Sequence, residues 1–373
     1  MTEAAKGRLL LLWVGFASFF LMGGIQSLYG PALPMLARET GRAVADVSIL
    51  FTVHWIGSAL GVAAMFVQGD RVTPRMVVVL LALGAGLLGA GLGWPMTLVG
   101  ATLAGFGQGC GAVVFNPRLL AAFGPRGPAM LSLINAIFGA GAILAPMALV
   151  LVGGAYGLVF LAVAAGLVLL AIGARDEGRI ARHEAAGPLR ADWVILAFGA
   201  CGVGMEASLI GLGPAALVRS GATEVQGAEA MSAFFLAFLI GRMALTLVAH
   251  AIRPFTVYLL ATSGIAICMI LATVIPPYWL FALSGAFAGI VFPSYFVAGS
   301  QRMGQNPRVS PLIIAGGLVG GISLPFILAH VTETMGPRGF FQIMAVLAVL
   351  VSLVALAAML SERAATRRAG LRP

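Results

Sequence analysis

GFGQGCGAVVFNP (Gly105–Pro117), RLLAAFGPRGP (Arg118–Pro128) and AMLSLINAIFGAGAILAP (Ala129–Pro146), read as one stretch, decide the fold. Two apolar, glycine-rich runs face each other across a short basic turn carrying Arg118 and Arg126. Gly105/Gly109 and Gly107/Gly111 recur at i, i+4, the spacing that lets two helix backbones touch in lipid. Each run also carries a polar residue at a depth where hydrocarbon offers no hydrogen bond: Gln108 or Asn116 in the first, Asn135 in the second. The pattern predicts an all-α membrane bundle enclosing a polar cavity.

Composition agrees. Of 373 residues, 60% are hydrophobic and 9% charged, too little charge for a water-soluble domain of this size. Cys110, Cys201 and Cys268 all fall in apolar runs, so neither a disulfide framework nor a metal site is expected. No cofactor is implied. The run after Lys6 and Arg8 continues to Leu36 without a small-x-small cleavage site, so it reads as a retained first transmembrane helix and not as a signal peptide.

Windows of roughly 20 apolar residues suffice to cross the hydrocarbon core. They occur near 9–36, 46–67, 75–93, 96–118, 127–151, 155–174, 192–218, 229–250, 255–275, 278–299, 310–332 and 339–360, twelve in all. Gly93-Trp94-Pro95 and Pro276-Pro277-Tyr278-Trp279 read as tight turns with interfacial aromatics. With both termini inside, the inner segments hold 17 of the 22 basic residues. The outer ones hold Arg38, Arg42, Arg219 and Arg338, and Arg242 lies within a helix. That asymmetry predicts cytoplasmic termini in a cell (inner) membrane. It also accounts for the net charge of +9 without nucleic acid.

The longest connection, RDEGRIARHEAAGPLRAD, divides the chain six plus six. The expected organisation is a helical bundle over 1–174, a cytoplasmic linker over 175–191, a second bundle over 192–360 and a basic cytoplasmic tail over 361–373. The halves echo each other. Ser27-Leu28-Tyr29-Gly30 before PALP matches Ser208-Leu209-Ile210-Gly211 before Pro214 at an offset of 181 residues. Gly139-Ala-Gly141 maps onto Gly320-Gly321 at about 180, and Val114-Phe115 onto Val291-Phe292 at 177. A duplicated six-helix unit follows. Two parallel six-helix halves with a site between them are the architecture of the major facilitator superfamily.

Motifs extend that resemblance. Asp70-Arg71-Val72-Thr73-Pro74-Arg75 resembles the superfamily's D-R-x-G-R-[RK] loop, in which an acid and basic residues latch the cytoplasmic side. Asp70, Arg71 and Arg75 fit; Thr73 and Pro74 depart. Gln108-Gly109-Cys110-Gly111-Ala112 resembles R-x-x-Q-G-x-G-A, with Gly105 in the place of the arginine that some members use in proton coupling. Phe19 to Gly23 through Leu33-Pro34, Asn116-Pro117, and Ser132 through Gly141 are similar to the fucose/glucose porter branch. The two positions at which fucose–proton symporters of that branch carry acids are Gly30 and Ala112 here. The resemblance implies a monomer.

Function narrows from the polar inventory. Of thirteen acids, only Glu206 lies at mid-membrane depth, with Arg242 as its candidate partner, so Glu206 and Arg242 are the coupling pair expected for protons. Gln26, Ser27 and Tyr29 on helix one, Gln108 and Asn116 on helix four, Asn135 on helix five, Ser294 and Tyr295 on helix ten, and Glu206 itself are candidate solute contacts, since by the resemblance helices one, four, seven and ten line the path. His54 on the second helix can titrate or donate to the solute, a further candidate contact. Phe115, Phe138, Tyr29 and Trp55 offer stacking surfaces. One acid, one arginine and a few amides suit a small, mostly uncharged solute, sugar-like or a vitamin such as riboflavin. Uptake by alternating access is the leading reading; export of amphiphilic drugs or metabolites is the alternative. No Ser/His/Asp set or paired acids at catalytic spacing suggest an enzyme, and no nucleotide-binding loop suggests an ATP-driven pump. The partners expected are the solute, the bilayer and protons.

Overall fold

The computed structural model describes residues 3–68, 71–123, 127–174, 190–248, 251–304 and 309–368, and among these it contains helices and no strand. The first half comprises α1 (Glu3–Thr40), a single turn α2 (Val44–Val47), α3 (Ile49–Gln68), α4 (Pro74–Gly89), α5 (Trp94–Phe123), α6 (Gly127–Leu151) and α7 (Tyr156–Gly173). The second comprises α8 (Trp193–Arg219), α9 (Glu224–Val248), α10 (Pro254–Ala272), α11 (Tyr278–Met303), α12 (Val309–Glu333) and α13 (Gly339–Arg368). Eleven of these described helices are long and apolar enough to cross a membrane, and α4, at 16 residues, is a shorter apolar helix. Their outward faces carry exposed Leu169, Ile172, Leu247 and Leu353, which only lipid accommodates.

Two boundaries differ from the sequence pattern. The apolar window 75–93 ends early, because Gly91 and Gly93 take positive φ (66° and 88°) and turn the chain after Gly89. Conversely, the stretch read as a basic turn after Pro117 is helical to Phe123. Arg118 is therefore a buried residue of α5, its guanidinium donating to the Val114 carbonyl (3.0 Å). The helix of α13 likewise continues into the basic tail as far as Arg368. The linker and Asp70 lie largely outside the described residues.

The helices sort into two compact units, Met1–His183 with Thr223–Ser232, and Glu184–Ala222 with Ala233–Pro373. The first turns of α9 thus belong with the first unit. There Glu224 pairs with Arg38 at the end of α1, and Ser232 donates to the Ile143 carbonyl of α6 (2.9 Å).

Glycine seams build each unit. A Cβ at Gly105 or Gly109 would collide with the His54 or Ser58 carbonyl of α3, while one at Gly107 or Gly111 would press on Leu81 or Val77 of α4. The two i, i+4 pairs of α5 therefore serve two different neighbours. Gly23 and Gly141 bring α1 and α6 into reciprocal backbone contact, against the carbonyls of Phe138 and Phe20. In the second unit, Gly204 and Gly320 do the same for α8 and α12, and Gly241, Gly285 and Gly289 join α9 to α11. Helix-interior prolines repeat with them: Pro34 and Pro214, then Pro146 and Pro325. The same packing plan is thus used twice.

At the start of α8, Asp192 accepts from the Val194 and Ile195 amides (both 3.1 Å) and pairs with Arg302 of α11 (3.2 Å). Partial burial pushes its carboxyl up, but the Ile195 amide, the Arg302 guanidinium and the Val194 amide outweigh that and hold it below the usual aspartate range. Asp192→Ala is expected to cost about 1 kcal/mol of stability through the lost cap. Because the folded-state value is depressed, the wild-type advantage is complete above the unfolded value of about 3.9 and disappears as pH falls through the lower folded one. Melting curves of both proteins across that range would check it; an advantage that grows below pH 4 would contradict the assignment.

Candidate functional site

A chain of hydrogen-bonded polar side chains crosses the middle of the first unit. The Tyr29 hydroxyl of α1 meets Nδ1 of His54 on α3 at 3.0 Å, and His54 Nε2 meets Oε1 of Gln108 on α5 at 3.3 Å. The Gln108 amide nitrogen then donates to Oε1 of Gln26, back on α1, at 2.8 Å. The seam explains the placement: Gly105 lets α5 lie directly on the His54 backbone, and Gln108 follows less than one turn later. Tyr29 and His54 are fully buried, and Gln26 is 6% exposed. Tyr29 also packs on Phe51 and Phe160 at ring separations of 6.3 and 6.1 Å. Buried polar groups on otherwise apolar helices require such partners.

Other sequence-predicted residues stand apart from this chain. Ser27 donates to the Gly24 carbonyl (3.1 Å) and Ser294 to that of Val291 (2.8 Å), bonds within their own helices. Tyr295 donates to the Ile313 carbonyl of α12 and fills the space left by Gly199, so it is wholly engaged inside the second unit. Asn135 is exposed on α6. Asn116 holds a buried Oδ1 with no hydrogen-bond donor. Of the latch residues, Arg71 is exposed, and Arg75 donates through Nε to the Ala174 carbonyl (3.0 Å) at the end of α7, where a cation suits the helix dipole.

Glu206 lies on α8, and its Oε2 is buried with no hydrogen-bond partner. Arg242 attracts it electrostatically, yet the two form no ion pair. The guanidinium is held elsewhere: Nε donates to the Gly289 carbonyl (2.9 Å), and the group lies 4.5 Å from the centre of the Phe238 ring. The arginine is anchored by backbone and an aromatic face, which leaves the carboxyl without a bonded cation.

Two polar atoms escaped the sequence reading. Thr52 Oγ1 and Trp55 Nε1, three residues apart on α3 and so on one side of it, are both buried and unpartnered. Trp55 was legible as an aromatic surface; nothing in the sequence marked Thr52. Among the described residues no group of His, Cys, Asp and Glu side chains could hold a metal ion.

No curated protein matches the sequence. Solved structures do match in fold. The chain is similar to a D-xylose–proton symporter (12% identity, 94% of this chain and 97% of that one, TM-score 0.75). It is similar to a bacterial homologue of the human lysosomal transporter Spinster in an inward-facing, occupied conformation (14%, 96% and 97%, 0.72). It is similar also to the E. coli fucose:proton symporter (19%, 94% and 98%, 0.62). At these identities the likeness establishes the fold and does not single out the fucose/glucose branch. The Major Facilitator Superfamily model matches residues 15–310, most of the described helices. Sequence and helix packing meet in one conclusion: the chain belongs to the Major Facilitator Superfamily, a family of multi-pass membrane transporters.

Proposed function

We propose that this chain is a secondary transporter that takes up a small, mostly uncharged organic solute by alternating access, in a cell inner membrane with both termini cytoplasmic. The observation that carries the proposal is the polar chain Gln26–Gln108–His54–Tyr29, sunk in the first unit between aromatic rings. Neutral hydrogen-bonding groups of both kinds beside Tyr29, Phe51 and Trp55 suit a sugar-like solute, or a vitamin such as riboflavin that joins a polyol to a flat ring. Two of the solved structures similar in fold are named for D-xylose and fucose, which supports the same solute class. Glu206, with a buried oxygen and no bonded cation, is the proton-coupling residue in this reading, and Arg242 sets its electrostatic surroundings.

The test is thermal stabilisation of detergent-purified protein by sugars, polyols, nucleosides, riboflavin and hydrophobic cations, since a ligand that binds only the folded state raises its melting temperature. A rise with a neutral solute is expected, and Gln108→Leu, which cuts two links of the chain, should weaken that binding by about tenfold or more. A rise with hydrophobic cations alone would replace uptake with export of amphiphiles.

A further inference from the structure

Hydrogen bonds have a direction, and the chain in the first unit has two self-consistent ones for a neutral imidazole. In one, Tyr29 donates to Nδ1 of His54, the ring carries its proton on Nε2 and donates to Oε1 of Gln108, and the Gln108 amide donates to Oε1 of Gln26. In the other, both amides are turned over, the ring proton sits on Nδ1, and every donor becomes an acceptor.

The ends of the chain decide between them. Tyr29 is fully buried, and its contact with His54 is the hydroxyl's one hydrogen bond. The reversed order would make that hydroxyl an acceptor and leave its O–H without a partner in an apolar core, which is costly. A doubly protonated His54 would strand the same O–H. The forward order leaves only a spare lone pair there. At the far end it leaves the Gln26 amide nitrogen, which makes no hydrogen bond and is not among the sealed, unpartnered atoms. The Ala101 carbonyl also faces the imidazole, and it can accept only from a ring nitrogen that carries the proton.

A second observation points to the same kind of ligand. Trp55 Nε1 is a buried donor without an acceptor, on a ring whose centre lies 6.2 Å from that of His54. The Thr52 hydroxyl, also unpartnered, can either donate or accept, and the orphaned amide oxygen of this unit, Asn116 Oδ1, lies about two turns farther along α5 than Gln108. Near His54 the one orphaned group that can only donate, Trp55 Nε1, needs an acceptor.

We propose that Tyr29, His54, Gln108 and Gln26 form a one-way donor chain whose outlet is the Gln26 amide N–H, and that the solute is held there through an acceptor: a carbonyl or ring oxygen, or an unprotonated ring nitrogen. His54 acts as a positioning residue, fixing through Gln108 which end of the Gln26 amide faces outward. The docking of solute rests on the function proposed above; the direction of the chain does not.

The deciding experiment needs no ligand. Replacing His183, His250 and His330 with glutamine leaves His54 as the sole histidine without touching the chain. In that protein, labelled with 15N-histidine and held in detergent near neutral pH, two-bond nitrogen–proton correlation spectra distinguish the tautomers. A protonated Nε2 with a bare Nδ1 is expected. A protonated Nδ1, or a doubly protonated ring, would overturn the direction. Riboflavin and L-fucose are then added in turn. Movement of the His54 resonances supports docking at the outlet. With the expected tautomer in hand, no movement with either would overturn the docking and leave the direction standing. Gln26→Glu keeps an acceptor for Gln108 but removes the outward donor, so it should lower affinity for whichever probe moves His54 by about tenfold or more. Undiminished affinity would show that the solute does not use that donor.

Discussion

Gly320→Leu and Gly141→Leu are each expected to abolish folded protein. A Cβ at Gly320 would sit well inside contact distance of the Ala200 carbonyl oxygen, and one at Gly141 inside that of Phe20. Overpacking an ordinary core costs about 1–3 kcal/mol because side chains can shift. Here the obstacle is the backbone of the opposing helix, which cannot rotate away, so the helices must part along the seam. Against a total stability of about 5–15 kcal/mol, losing α8–α12 or α1–α6 packing is large. The informative control is Gly173→Leu, where a Cβ meets nothing within 4 Å and the change should stay within about 0.5 kcal/mol. Size-exclusion profiles and melting temperatures of the three variants would read this directly. A Gly320→Leu protein that elutes and melts like wild type would mean that α8 and α12 do not touch as described.

Glu206→Gln is expected to separate binding from coupling. The substitution keeps the shape of the side chain and removes its exchangeable proton. Arg242 is fastened by the Gly289 carbonyl and Phe238, not by Glu206, so neutralising the acid should not free the arginine or lower the melting temperature appreciably. In liposomes the variant should still exchange solute across the membrane, while accumulation driven by an imposed proton gradient falls by at least about tenfold, equal to about 1.4 kcal/mol. A marked loss of stability with coupling intact would make Glu206 a structural acid and move the coupling site elsewhere.

The fold was largely legible because its determinants are local. Runs long enough to span and glycines at i, i+4 can both be read from adjacent positions. Which neighbours the Gly105/Gly109 and Gly107/Gly111 stripes meet, α3 and α4, is set by the three-dimensional packing. The site was harder. Gln26, Tyr29, His54 and Gln108 could each be singled out as polar groups at depth, but their union depends on how far α5 slides along α3, which Gly105 sets in three dimensions. Ser294 and Tyr295 had the same sequence credentials and found carbonyl partners within their own unit. A hydroxyl that bonds its own helix and one that waits for a solute look alike in one dimension. The Glu206–Arg242 pairing missed contact for a related reason: the competing Gly289 carbonyl is a backbone group, which residue types cannot reveal.

The division of α9 bears on how such a protein can be taken apart. The long connection after residue 174 looks like the natural place to cut, yet residues 223–232 pack with the first unit, through Glu224 on Arg38 and Ser232 on Ile143. A chimera that grafts the first six transmembrane helices onto another transporter would leave these contacts behind. The donor fragment therefore has to include a detached decapeptide from the other side of the cut, or the recipient's own eighth transmembrane helix must be rewritten at its first three turns to receive Arg38 and the Ile143 carbonyl.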